Sequence, residues 1–394
     1  MTDTDDPAGV DPFEHAYTPA DVLFGRGTVA DLGEALGERG VERALVVCGS
    51  NVGDNDALMD PLRAGLGDRF AGVFDGTTPK KSVDDALAGV EAWEETEADA
   101  LVAVGGGSSL DVSKAMRIIA ADPRDRAALR EEAEEHGRLV LPEGVEPAPA
   151  AVVPTTFAGA DLSVGGSVSF PDGPSAGLTD RRLMPDVACY DPALFETTPD
   201  AVLRGSAMNG FDKGIEMAYA RDGNPVTDAT AVRGLRYLRR GLPDALDDEA
   251  AMERAVVGIV LVQYGLSTPG ATKLGPIHAF GHGLSRGYPL QQGMAHAVAA
   301  PHVLRDVLET VDGERDLLAE GLEVAADPAS VVAAVREVRD ALDLPTRLRD
   351  VDGPEPDDFD AVARAVHEDH LMAYGPPGYD PGVDELRDIV ENLW

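Results

Sequence analysis

The residue run best suited to chemistry is AVGGGSSLDVSKAMRIIA, starting at Ala103. A short apolar strand leads into Gly105, Gly106 and Gly107, and Ser108 or Ser109 stands where a helix N-cap is expected. Consecutive glycines let the backbone approach a ligand closely and take up conformations closed to other residues. The helix that follows offers free N–H groups and the positive end of its dipole to a phosphate. The spacing is not that of a Walker loop, and Leu110 replaces the last glycine of G-x-G-x-x-G. A dinucleotide pyrophosphate is the occupant this pattern favours. Two more pairs sit at helical spacing, Asp212 with Glu216 and His278 with His282. Residues four apart share a helix face, so the two carboxylates could share a cation.

The elements that must carry these groups divide the chain in two. In the first half, short β-branched runs at Arg43–Val47, Gly72–Asp75, Ala100–Val104 and Ala151–Val153 alternate with helical patterns. Within Val83–Thr96, for example, Val83, Leu87, Val90 and Trp93 recur at helical spacing. That alternation predicts a parallel sheet covered on both faces. Asp122–Pro149 reads as an inserted helix and loop, and Ser163–Tyr190 as an antiparallel excursion. After Asp191 helical periodicity dominates, at Asp200–Tyr219, Thr227–Leu242, Ala250–Leu266, Ala295–Leu308, Ala329–Leu342 and Asp384–Asn392. The expected architecture is an α/β dinucleotide-binding domain over 1–190 and an all-helical domain over 191–394, with the active site in the cleft between them.

Composition narrows the function classes. Against 71 acidic residues stand 33 basic ones, a net charge of −38, which disfavours nucleic-acid and membrane-surface binding. Only five of the basic residues are lysines: Lys80, Lys81, Lys114, Lys213 and Lys273. Avoidance of lysine together with abundant Asp and Glu points to a halophilic cytoplasm, where about 1 M salt shortens the Debye length to about 3 Å and removes long-range repulsion of an anionic cofactor. Cys48 and Cys189 lie in apolar runs and read as buried free thiols. The N-terminus MTDTDDPAGV has no apolar signal segment, and the apolar run from Ala255 is too short to span a bilayer. These features predict a soluble cytoplasmic protein.

FGRGTV (from Phe24), VFDGTTPKKS (from Val73), GGGSSLDVSKA (from Gly105), PTTFAGADLS (from Pro154), LMPDVACYDP (from Leu183), GFDKGIE (from Gly210) and IHAFGHGL (from Ile277) occur in one order. In that order the chain resembles the iron-containing, or group III, alcohol dehydrogenase family over nearly its whole length. The resemblance implies hydride transfer between NAD or NADP and a small alcohol, aldehyde or ketone, and a homodimer. It places the pyrophosphate on Gly105, Gly106, Gly107 and Ser108, with Asp111 close by, and the phosphates and nicotinamide ribose on Thr155 and Thr156. Gly49 stands where many relatives carry an acidic residue that reads the adenosine ribose. Without that carboxylate a 2′-phosphate is not repelled, so NADP is allowed.

Metal-dependent relatives use Asp-x-x-x-His, then a His opening H-x-x-x-H, then a His fourteen residues on. The matching residues are Asp212, Glu216, His278 and Gln292, so two of the family's histidines are replaced. An oxygen-rich set of this kind favours iron, manganese or magnesium over zinc, although Fe, Mn and Zn all stay open. Without a cation, the buried acid pair needs a raised pKa or a basic neighbour. The shorter PTTFAGAD segment resembles metal-free maleylacetate reductases. His282 then becomes the proton relay, with Lys213 beside it. His296 and His302 are weaker candidates, and Lys273 and Arg286 could hold a substrate carboxylate. Two rivals are a lyase resembling dehydroquinate synthase and an inactive ligand-binding descendant.

Overall fold

The computed structural model describes residues 13, 15, 20–170, 175–267 and 273–394; the acidic N-terminal stretch MTDTDDPAGV lies outside them. Among the described residues there are eight strands: β1 (Asp21–Phe24), β2 (Ala44–Gly49), β3 (Phe70–Thr77), β4 (Ala100–Gly105), β5 (Ala150–Pro154), β6 (Gly165–Ser169), β7 (Ser175–Thr179) and β8 (Val187–Tyr190). Six of them form one sheet in the order β1-β8-β5-β4-β2-β3, with every pairing parallel. Alternation along β2 shows why both faces are covered. Leu45 and Val47 pack with Val83, Val90 and Trp93 of the Val83–Thr96 helix. Ala44, Val46 and Cys48 pack on the other face with Leu58, Met59 and Leu62 of the Asp56–Leu66 helix.

The Val83–Thr96 helix coincides with its predicted span and opens on a capping box, Ser82 Oγ accepting from Asp85 N at 3.0 Å and Asp85 Oδ2 accepting from Ser82 N at 3.1 Å. The predicted antiparallel excursion needs correction. Only β6 and β7 form an antiparallel hairpin, whereas β8 returns to the main sheet in parallel between β1 and β5. The edge strand β1 was not anticipated. It is four residues long, DVLF, with a burial that does not alternate, so its run is too short for strand periodicity to mark it.

After Tyr190 the described residues form helices only, the longest being Asp200–Tyr219, Pro225–Gly241, Glu249–Leu266 and Gln292–Thr310. Arg315–Leu322 and Phe359–His367 were not foreseen. The two halves share a continuous apolar core: Ala103, Val152 and Phe157 from the sheet side meet Leu203, Phe211 and Ile259. At the closest approach Gly210 packs on the carbonyl oxygen of Phe157, where any β-carbon would collide. Both cysteines are buried and unbridged. Among the described residues no helix is long and apolar enough to cross a membrane.

Candidate active site

The sheet order creates a switch point. From β2 the chain goes outward to β3, and from β4 it goes the opposite way to β5, so the loops after β2 and β4 diverge and leave a crevice at the carboxyl ends of the strands. Gly49 ends β2 and Gly105 ends β4 on that edge. Gly105 has φ +118, a conformation that favours glycine, and turns the chain directly into the Gly107–Ala121 helix. Gly106 is the N-cap and no side chain caps the helix, so neither Ser108 nor Ser109 does the capping expected of it; the Ser109 hydroxyl instead lies 2.9 Å from that of Thr77. The glycine turn adjoins the end of β5, where Thr155 N donates to Gly105 O at 3.1 Å and a β-carbon on Gly106 would stand 3.4 Å from Thr156 Cγ2. The fold thus gathers Gly49, Gly105, Gly106, Gly107, Ser108, Thr155 and Thr156 at one crevice.

Asp111 and Lys213 are held by neighbouring protein groups. Asp111 is buried and accepts from Lys81 Nζ at 2.7 Å, with Lys114 Nζ at 3.8 Å. Lys114 donates to Ala160 O (3.2 Å) and Gly165 O (2.8 Å). Lys213 donates to Ala158 O (2.9 Å) and Gly159 O. One lysine from each half therefore ties down the loop after β5. Burial pulls the Lys213 ammonium down to about 8 and lowers Lys114 as well. Asp161, pushed up by burial, accepts from the Tyr190 hydroxyl in the same cluster.

Asp212, Glu216 and His278 do come together, but as acid–imidazole pairs. Glu216 Oε1 accepts from Ile277 N (2.7 Å) and His278 N (3.2 Å), capping the Pro276–Ser285 helix, with the Tyr219 hydroxyl at 3.4 Å. Its other oxygen meets His278 Nδ1. Asp212 Oδ2 meets His296 Nδ1 at 3.1 Å, and the two imidazoles touch edge to face with centroids 4.4 Å apart. Burial pushes Glu216 up to about 7 and Asp212 well up, the latter also through Glu216, while it drives both imidazoles well down. Each acid is thus paired with its own histidine. The basic neighbours that a buried acid pair demands are these two histidines and not Lys213.

In this arrangement Glu216 and His278 are taken up by other partners. Both Glu216 oxygens are engaged, His278 has Nδ1 on Glu216 and Nε2 3.3 Å from Asn209 Oδ1, and His296 Nε2 lies against the backbone of Gly281. Gln292 packs its aliphatic stem toward Gly281. Among the described residues no three His, Cys, Asp or Glu side chains form a metal-holding group. Of the expected set Asp212, Glu216, His278 and Gln292, the first three meet in two acid–imidazole pairs, and His296, a weaker candidate from the sequence, completes the second; in that pair Asp212 Oδ1 and His296 Nε2 are buried without a hydrogen-bond partner.

His282 lies one turn beyond His278 and is 35% exposed. Its Nδ1 stands 2.9 Å from Asp369 Oδ2, whose side chain is only 4% exposed. Nothing in the sequence pattern marked Asp369, which lies 87 positions away. His302 is half-buried, and burial with nearby arginines lowers its pKa to about 4, which fits packing. Lys273 is buried near Asp222 and Asp228, whereas Arg286 is exposed at the end of the His282 helix.

A parallel sheet with a glycine turn at its switch point, closed by a helical half that carries paired acids and histidines, defines a dinucleotide-type oxidoreductase architecture. The pattern of the iron-containing alcohol dehydrogenase family matches residues 19–192, and that of the Fe-containing alcohol dehydrogenase family C-terminal region matches residues 205–390. The chain belongs to this family and is an oxidoreductase. It is 27% identical over 397 residues to the NAD-dependent methanol dehydrogenase of Bacillus methanolicus, covering 95% of this chain and 98% of that one. It is 30% identical over 305 residues to a maleylacetate reductase of Rhizobium sp., covering 76% and 77%. The crystal structure of maleylacetate reductase from Agrobacterium tumefaciens superposes with a TM-score of 0.79 at 27% identity, over 98% of both chains.

Proposed function

We propose that the protein transfers hydride reversibly between NADH or NADPH and a small carbonyl compound, and that it does so without a metal at Asp212, Glu216 and His278. The carrying observation is the pairing of both buried acids with imidazoles, Glu216 with His278 and Asp212 with His296. In this reading 1–190 holds the cofactor along Gly105–Ser108 and 191–394 closes over the nicotinamide. The hydride adds to the carbonyl carbon, and the oxygen takes a proton from Nε2 of His282, the nitrogen left open by Asp369. Lys213 keeps the loop after β5 in place and is not the proton donor. Gly49 brings no carboxylate to the adenosine ribose, so NADPH is accepted. In this reading Arg286, four residues past His282, holds a substrate carboxylate, which favours an oxo acid over a plain primary alcohol. A homodimer in a salt-rich cytoplasm completes the reading, supported by the family resemblance, the net charge of −38 and the free thiols.

The test is metal analysis of protein purified in high salt, combined with NADH and NADPH titrations with and without chelator. The expected outcome is sub-stoichiometric metal, cofactor binding and turnover that survives chelation. Stoichiometric iron, manganese or zinc, lost together with activity, overturns the metal-free reading.

A further inference from the structure

We infer that Asp369 is the positioning residue for His282, fixing which of its nitrogens faces the reacting oxygen; this rests on the proton-relay role proposed for His282. An imidazole can relay a proton in a defined direction only when its tautomer and ring orientation are held, commonly by a carboxylate on the second nitrogen. Asp369 has the geometry for this. One oxygen, Oδ2, is 2.9 Å from His282 Nδ1. The other, Oδ1, accepts from Leu371 N at 3.0 Å and so caps the short His370–Tyr374 helix. The carboxylate is thus anchored by the backbone at one oxygen and holds the imidazole with the other.

That short helix packs against the Pro276–Ser285 helix, and Gly375 at its end lies against Gly275 and Pro276. The dyad therefore spans two packed elements. Despite its burial, Asp369 is held below the usual carboxylate range by its hydrogen bonds from His282 and Leu371. It stays an acceptor, so Nδ1 keeps its proton and Nε2 is the exchanging nitrogen. When hydride reaches the carbonyl carbon, the C=O electron pair moves to oxygen, and that oxygen takes the Nε2 proton. His282 is left neutral with Nδ1–H still on Asp369, and its 35% exposure lets solvent return the proton. His370 Nδ1 is 3.6 Å from Asp369 Oδ1, but its side chain is 75% exposed and plays no part in the reaction.

The experiment compares Asp369→Asn, Asp369→Glu, His282→Ala and His370→Ala, using kcat, KM and NADH affinity. In Asp369→Asn the amide oxygen can still accept from Leu371 N, which preserves the local fold and turns the amide nitrogen toward His282 Nδ1, selecting the wrong tautomer. The expected result is a kcat at least about 10-fold lower, a part of the about 10²–10⁴-fold that general acid–base catalysis supplies, with KM and NADH affinity little changed. Asp369→Glu is expected to recover part of the loss, and His370→Ala to match the parent. Full kcat in Asp369→Asn alongside a large loss in His282→Ala overturns the assignment. Equal losses of kcat and NADH affinity in a poorly folded Asp369→Asn, with no recovery in Asp369→Glu, also overturn it by showing a structural role. Full activity in His282→Ala overturns the proton-relay reading itself.

Discussion

Glu216 shows how one substitution alters a site. A histidine there would project an imidazole from the Asp212 face of the helix; the glutamate instead reaches the first N–H groups of the next helix and holds His278. That anchoring takes His278 Nδ1 and both carboxylate oxygens out of any coordination set. Reversing it is therefore a sharp test. Glu216→His combined with Gln292→His restores the ligand types that the resemblance associates with metal dependence. The double variant is expected to co-purify with stoichiometric divalent metal, read by elemental analysis, while the parent does not. A folded double variant with no metal refutes the alignment of Gln292 with the fourth family ligand. The cysteines are a plainer case: burial pushes the Cys48 thiol up to about 12 and Cys189 up as well, so both are inert fillers of the sheet core.

At the scale of elements, the β4–glycine turn–helix unit was legible because its signals are local. Apolar residues end at Val104, the positive φ falls on Gly105, and the helix runs from Gly107. What was not legible is which neighbour uses the serines, since Thr77 comes from β3. A side chain at Gly106 has room, its nearest neighbour being Thr156 Cγ2 at 3.4 Å, so the fold tolerates it while a ligand does not. Gly106→Asp is expected to abolish NADH and NADPH binding, measured by fluorescence titration, with an unchanged melting temperature. Unchanged affinity removes the pyrophosphate from this loop. The pairing of β8 is hidden for a different reason. Val187–Tyr190 is a four-residue apolar run after a hairpin, and periodicity cannot tell a third antiparallel strand from a return to the parallel sheet.

Over the whole molecule, charge and lysine placement belong together. With a net charge of −38 the folded chain repels itself in dilute buffer, and the effect fades as the Debye length shrinks to about 3 Å near 1 M salt. Thermal stability is expected to climb steeply with KCl toward molar concentrations in a melting series, and a flat series removes the salt-adaptation reading. Lys114 and Lys213 are kept where an ammonium must reach carbonyls of the loop after β5, and Lys81 where it pairs with Asp111. From the sequence alone came the two-part architecture, the glycine loop, the buried free thiols and the family, because strand and helix periods and motif order are properties of neighbouring residues. The tertiary structure alone decided the partners: Glu216 with His278 across 62 positions, Asp212 with His296 across 84, and His282 with Asp369 across 87. Helical spacing states which residues share a face, but the group that face meets depends on how separate helices pack, and that packing sets Asp212, Glu216 and His278 in two acid–imidazole pairs completed by His296.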